Sequence, residues 1–190
     1  MLVAIALSAP AAAQSGALTV PRNLFQLTAR SADIVRGTVI SAHVEKHPDF
    51  GGLNTVVVQL RLKETLKGQA RGTFTFRQYI WDIRDIAGAA GYRKGQDLLL
   101  MMIAPNQHGL SSPAGLEQGR FQIQRDRTGQ EFAVNGHGNS RLFDGMNLQL
   151  ANKGITLSPR STGLIERYLN GPVALADLTG LIRELARGGE

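Results

Sequence analysis

The feature that most constrains this fold is an alternation of apolar and polar side chains in TVVVQLRLKETLKG, residues 55–68. Val56, Val58, Leu60 and Leu62 fall on one face of an extended chain, and mostly polar residues fall on the other. Because successive strand side chains point to opposite faces, the pattern predicts a strand with one buried face and one solvated face. Strands of this kind belong to antiparallel sheets. The segment ends at Gly68, where we expect a turn.

Several other short strands are predicted, separated by glycine-containing turns. β-branched residues indicate a strand over 33–45, with a bulge or sharp bend at Gly37. The apolar run 97–103 predicts a central strand that is covered on both faces. Residues 119–126 and 131–134 predict a hairpin. This arrangement of short strands is typical of a barrel or sandwich.

Amphipathic helices are predicted on both sides of this β-rich region. The first covers 21–32, and the second covers 174–189. The second helix carries an apolar stripe at i, i+3, i+4 and i+7, formed by Leu178, Leu181, Ile182 and Leu185. Residues 136–163 are mostly polar and show no sustained period, so we expect a partly ordered extension there.

The first thirteen residues carry no charge and end in Ala11-Ala12-Ala13, a pattern typical of a signal peptide. We therefore expect an exported protein, periplasmic or secreted, whose mature chain starts at Gln14. No later apolar run approaches the length of a transmembrane span. The expected division is a signal peptide over 1–13, a β-barrel domain with its N-terminal helix over 14–135, and the extension with the C-terminal helix over 136–190.

Composition removes some kinds of chemistry. The chain has no cysteine, which excludes disulfides, thiolate metal sites and a cysteine nucleophile. Its formal net charge of +6 would suit a polyanion partner, but the basic residues are scattered along the chain. A mildly basic, solvated surface is the simpler interpretation.

The order of four segments resembles a group of uncharacterised exported bacterial proteins. These segments are SADIVRGTVISAHVE, TVVVQLRLKETLKG, YRKGQDLLLMM and GLEQGRFQI. Proteins of this group look like an OB-type β-barrel related in shape to the tissue-inhibitor-of-metalloproteinase and netrin modules. The resemblance covers roughly residues 24–135. It implies a mainly β (α+β) fold, namely a small OB-like antiparallel β-barrel with an N-terminal and a C-terminal helix, and it implies export.

The same resemblance carries no assigned activity. Gln96-Asp97 stands where the group has an acidic pair, and Arg120 stands where it has Lys. The metalloproteinase inhibitors act through an N-terminal cysteine that chelates the target's zinc. This chain has no cysteine, so that mechanism does not carry over.

A binding surface is predicted on the strand TFTFRQYIW, residues 73–81. If Phe74 and Phe76 face the core, Arg77, Tyr79 and Trp81 line the opposite side. OB folds stack bases or sugar rings on strands of this composition. The bordering loops 82–96 and 104–118 are long and contain glycine. The alternative is that Tyr79 and Trp81 pack beneath loop 82–96 or against the C-terminal helix, as most Trp side chains are largely buried.

The weak candidates for metal binding are His43, Glu45 and His47 in HVEKH, which would share one face of a strand. The spacing is not that of HExxH, and exposed polar residues at a strand end explain it more simply. We expect no metal and no other cofactor.

These observations favour a non-enzymatic exported binding or interaction module of unknown ligand, with an envelope protein or an anionic envelope component as its partner. One alternative is a metal-dependent or other hydrolase using His43, Glu45 and His47. Another is a polyanion or nucleic-acid binder using Arg77, Tyr79 and Trp81, although exported proteins seldom meet nucleic acid.

Overall fold

A computed structural model describes residues 20–82 and 84–188. The predicted signal peptide over 1–13 lies outside these residues. In chain order the helices and strands are α1 (Leu24–Arg30), β1 (Asp33–Lys46), β2 (Asn54–Lys67), β3 (Thr73–Tyr79), α2 (Arg84–Ala87), β4 (Asp97–Met102), β5 (Arg120–Arg125), β6 (Glu131–Asn135), α3 (Met146–Asn152), α4 (Pro159–Arg167), β7 (Val173–Ala174) and α5 (Leu175–Gly188). None of the helices in the described ranges is long and apolar enough to cross a membrane.

Seven strands form one antiparallel sheet in the order β3-β2-β1-β4-β5-β6-β7. The predicted α+β class, with an antiparallel sheet and helices at both ends, is confirmed, but the sheet is not closed into a barrel. At the outer edge of β3, the neighbouring segment is the loop that follows β4. Arg77 and Leu110 form an isolated parallel bridge there, and the Ser111 N–H donates to the Arg77 carbonyl oxygen at 2.8 Å. We call this contact the seam.

The alternation in β2 is confirmed. Val56, Val58 and Leu60 are fully buried, whereas Arg61 and Lys63 are exposed. Burial of three branched side chains from one strand stabilises the sheet by about 1.5–3 kcal/mol each in transfer free energy. Over Val56 to Leu60, the strand therefore contributes to a core on one side.

The end of β2 is fixed by contacts with α1. Gly68 has a φ of +85°, and a Cβ there would lie 2.0 Å from an oxygen of Asp33, so only glycine fits. One residue earlier, the Lys67 Nζ donates to the carbonyl oxygen of Thr28 in the last turns of α1, at 3.0 Å. Lys67 therefore stabilises the C-terminal end of a helix, where a cation is favourable.

A register shift in the β1–β2 ladder lies between Arg36 and Gly37, which confirms the predicted irregularity. A Cβ at Gly37 would lie 2.6 Å from the backbone oxygen of Arg61. The two strands approach so closely at this bend that no side chain fits.

β4 separates two apolar cores, and the prediction of a strand covered on both faces is confirmed. Its residues Leu98 to Met102 are at most 1% exposed. On one face, β4 packs with the helices in what we call the helical core, whose largest members include Leu24, Leu27, Ile34, Leu99, Met101, Phe121, Leu142, Met146, Leu178, Leu181, Ile182 and Leu185. On the other face lies the inner core, formed by Val35, Val39, Val56, Val58, Leu60, Phe76, Ile80, Tyr92, Leu98, Leu100 and Met102.

The two amphipathic helices also form as predicted. In α1, Leu24, Leu27 and Thr28 are buried, and Asn23 caps the helix with its side chain by accepting from the Gln26 N–H. In α5, the whole predicted stripe is buried in the helical core.

Residues 136–163 differ from the expected partly ordered extension. They contain α3 and the first part of α4, and they add Leu142, Phe143, Met146 and Leu150 to the helical core. The buried Asn139 fixes the chain before α3, because its Nδ2 donates to the carbonyl oxygens of Ala133 and Gly171, at 2.9 and 2.8 Å. The segment is therefore part of the main core despite its polar composition.

Candidate binding site

Trp81 is the only tryptophan of the chain, and 69% of its side chain is exposed. It follows β3 by two residues, and its ring packs edge-to-face against Tyr79 with centroids 5.0 Å apart. The structure therefore does not place Trp81 beneath loop 82–96 or against the C-terminal helix. The edge-to-face contact holds the indole while leaving most of its surface in solvent.

Strand alternation explains why this large ring points outwards. Phe76 and Ile80 are each 5% exposed and pack in the inner core. The residues between and after them, Arg77, Tyr79 and Trp81, therefore project from the opposite face. The predicted orientation of Arg77, Tyr79 and Trp81 agrees with this geometry.

Arg77 does not act with the two aromatic rings. Its Nη2 lies 2.6 Å from the Glu45 Oε1 on β1, and its Nη1 donates to the Thr55 Oγ1 on β2 at 2.9 Å. The hydrogen bond from Arg77, followed by that from His43, holds the pKa of Glu45 below its usual range. The guanidinium thus joins three strands, and its charge is already compensated.

The metal candidates are only partly brought together. His43 Nε2 lies 3.1 Å from the Glu45 Oε2, but His47 follows the end of β1 and is 2% exposed. Its Nε2 lies 2.9 Å from the His108 carbonyl oxygen, and its Nδ1 accepts from the Asp49 N–H at 3.2 Å. Both ring nitrogens are used, so His47 has no lone pair for a metal.

Among residues 20–82 and 84–188, no group of three or more His, Cys, Asp or Glu side chains could hold a metal ion. The alternation rule placed His43, Glu45 and His47 on one face. It fails at His47 because the chain turns after Lys46, where β1 ends.

One cleft, here called the hairpin cleft, lies between Trp81 and the segment 103–112 and has a volume of about 360 Å³. Its apolar lining is Leu53, Tyr79, Trp81, Ile103, Leu110 and Leu116. Its polar lining is Gln78, Asn106, Ser111 and Ser112, and none of these side chains is ionisable. A mostly apolar cleft of this size with a few polar groups is typical of small-molecule sites.

A second cleft, here called the charged cleft, lies on another side of Trp81 and has a volume of about 560 Å³. Four of its charged side chains form two ion pairs, Arg84 with Asp82 and Arg120 with Glu117. Hydrogen bonds from Arg84 lower the pKa of Asp82 to about 2. Arg120 lies 3.1 Å from Glu117 and stacks on the ring of Tyr92, 4.7 Å from its centroid. Arg120 lies on β5 and also donates to the Ala90 carbonyl oxygen at 2.8 Å, so its contacts fix the loop 82–96 to the sheet.

Both loops that the sequence indicated as borders contribute to these clefts: 82–96 to the charged cleft, and 104–118 to both. The sequence did not indicate Gln78, Asn106 or Ser112. Gln78 lies on β3 itself, and no local pattern reports that its side chain reaches a cleft. The signals available for this site were the alternation that exposes Trp81 and the two long bordering loops.

Comparisons of the chain with protein-family models, with curated proteins and with solved structures found no match. The resemblance drawn from the four sequence segments therefore stays a prediction, and the site is interpreted from its own geometry.

Proposed function

We propose that this protein is a non-enzymatic binding module whose partner contacts Trp81 and the clefts beside it. The observation that carries the proposal is an indole that is 69% exposed between two clefts. Aromatic side chains supply much of the energy at binding surfaces, and an exposed one beside a concave surface indicates an interaction site. We further propose that the module is exported, and that its partner is an envelope component.

The two alternative functions have less support from the geometry. A hydrolase using His43, Glu45 and His47 would need His47 to release both of its hydrogen bonds. A polyanion binder using Arg77 would need that side chain to leave Glu45 and Thr55. Neither rearrangement has a compensating interaction among the described residues.

The test is capture of a partner by tethered mature protein, residues 14–190, from the native envelope fraction. Trp81→Ala should lose the captured component, with an affinity reduced by about 1–3 kcal/mol for a stacked ring. The matched control is Leu148→Ala, because Leu148 is 68% exposed but lines neither cleft. If every captured component binds Trp81→Ala as well as it binds the wild type, the proposal is wrong.

Export has a separate test. Intact mass of the protein from its native compartment should correspond to a chain that starts at Gln14. Protein that is recovered from the cytoplasm with Met1 retained would contradict export, although it would leave the binding surface unaffected.

A further inference from the structure

We infer that the hairpin cleft binds a neutral sugar unit of a glycan, stacked on Trp81. This inference rests on the proposed binding function of the same surface and adds the chemical class of its ligand. It is drawn from the shape of the cleft, the ring beside it and the hydrogen-bonding groups that line it.

The Trp81 ring suits the apolar face of a sugar. A pyranose has one face made largely of C–H groups, and this face packs on a flat aromatic surface. Trp81 offers the largest such surface in any protein side chain, is mostly exposed, and is supported from one edge by Tyr79. The support fixes the plane of the indole before a ligand arrives, which reduces the entropy lost on binding.

The amides of Gln78 and Asn106 line the cleft with hydrogen-bonding groups. The Gln78 Oε1 accepts from the Tyr92 hydroxyl at 2.9 Å, and the Asn106 Oδ1 accepts from the backbone N–H groups of His108 and Leu110. These bonds fix both amides with their carbonyl oxygens used. The Nδ2 of Asn106 and the Nε2 of Gln78 bond to no other described residue, so both are donors available to a ligand.

The Ser112 hydroxyl adds a group that both donates and accepts, and it too lines the cleft. Amide and hydroxyl side chains in an otherwise apolar lining match the hydroxyl groups around the edge of a sugar ring. The apolar and the polar parts of the lining therefore correspond to the two chemical faces of a saccharide.

The charge of the cleft lining bears on the charge of its ligand. The lining of the cleft contains no Asp, Glu, Lys, Arg or His, and the cation of β3, Arg77, is paired with Glu45 at 2.6 Å. Single-stranded nucleic acids need a basic groove beside the stacking ring. The hairpin cleft has none, so a neutral ligand fits and a polyanion does not.

The experiment uses the full mature chain and exploits its single tryptophan, because intrinsic indole fluorescence then reports Trp81 alone. The probes are neutral homo-oligosaccharides of glucose, mannose, galactose and N-acetylglucosamine, with a sulfated and a uronic-acid oligosaccharide as charged counterparts. We expect a saturable fluorescence change with at least one neutral probe and none with the charged ones. Added salt should leave the affinity unchanged.

Calorimetry then assigns the contacts. Trp81→Ala should weaken binding by about tenfold or more, Trp81→Phe should weaken it less, and Ser112→Ala should weaken it while leaving the fold unchanged. Leu148→Ala should bind as the wild type does. Neutral-probe binding that does not depend on Trp81, or stronger binding of the charged probes, would overturn the inference.

Failure of this inference is distinguishable from failure of the proposed function. If no neutral probe binds while an envelope component still requires Trp81 for capture, the ligand is not a neutral sugar and the binding module stands. If neither the probes nor the envelope fraction shows any dependence on Trp81, both proposals are wrong.

Discussion

Phe76 on β3 and Trp81, two residues beyond the end of this strand, show how position along the chain decides what an aromatic residue contributes. Phe76 is 5% exposed in the inner core, whereas Trp81 is 69% exposed. We expect Phe76→Ala to reduce the free energy of unfolding by about 3–5 kcal/mol. Trp81→Ala should change it by no more than about 0.5 kcal/mol, as surface substitutions do. Urea unfolding of both variants checks this, and a large loss for Trp81→Ala would show that the ring belongs to the core.

Gly37 lies at a close contact between β1 and β2. Its missing side chain leaves room for the backbone oxygen of Arg61, which would lie 2.6 Å from a Cβ. Gly37→Ala should therefore destabilise the protein by about 1–3 kcal/mol, as overpacking does. Gly52→Ala is the matched control, since a Cβ there meets nothing within 4 Å. Equal midpoints of chemical unfolding for both variants would show that β1 and β2 separate more easily than the contact indicates.

Glu184 connects two helices and should make their packing sensitive to pH. It lies on α5 and accepts from the Ser158 N–H and hydroxyl and from the Ser161 hydroxyl at the start of α4, each at 2.8 Å. Burial alone would raise the pKa of Glu184, but these hydrogen bonds together hold it below its usual value near 4.5.

The lowered pKa of Glu184 determines how its contribution to stability changes with pH. The contribution of Glu184 to stability is fully present above the pKa of the unfolded chain and is lost as the pH falls through the folded value. Glu184→Gln should cost on the order of 1 kcal/mol at pH 7, and its difference from the wild type should shrink in acid. Glu166→Gln, an exposed carboxylate of α4, is the control. A difference that does not change with pH would contradict this role.

Elements with a regular period were predictable from the sequence, and those without one were not. β2 has a period of two residues, β4 is a continuous apolar run, and α5 has a period of 3.6 residues. Their types and buried faces therefore agree with prediction. The chain before α3 has Asn139, Arg141 and Gly145 at positive φ. Such turns break any period, so the apolar residues between them gave no recognisable pattern.

The site was predictable to the same degree. Alternation along β3 placed Arg77, Tyr79 and Trp81 on one face, and this needs only local geometry. The pairing of Arg77 with Glu45 depends on which strands become neighbours, and 32 residues separate the two in sequence. The open sheet depends likewise on long-range pairing, because no strand of the described residues pairs with the outer edge of β3.

At the scale of the whole molecule, the helical core determines what can fold alone. Sheet residues such as Leu99, Met101 and Phe121 are buried by side chains from α3 and α5. A chain that ends at residue 135 would expose this face to water, so we expect it to be unfolded or aggregated. The measurement is dispersion of amide signals by NMR, with the full mature chain as the control. Well-dispersed spectra from the shortened chain would support a boundary at 135.

The seam between Arg77 and Leu110 has a consequence for motion at the hairpin cleft. Tyr79 and Trp81 form one wall of the cleft, and the segment 103–112 forms the other. The seam joins these walls through the Arg77–Leu110 bridge and the bond from the Ser111 N–H to the Arg77 carbonyl oxygen. We therefore expect their separation to fluctuate while both cores stay intact.

We therefore expect the amide hydrogen of Ser111 to exchange with solvent through local opening, faster than amides in β4 whose exchange requires global unfolding. A molecule that contacts both walls closes this route. Occupancy of the cleft is then measurable as slower exchange at one backbone position, in a protein whose average structure has not changed.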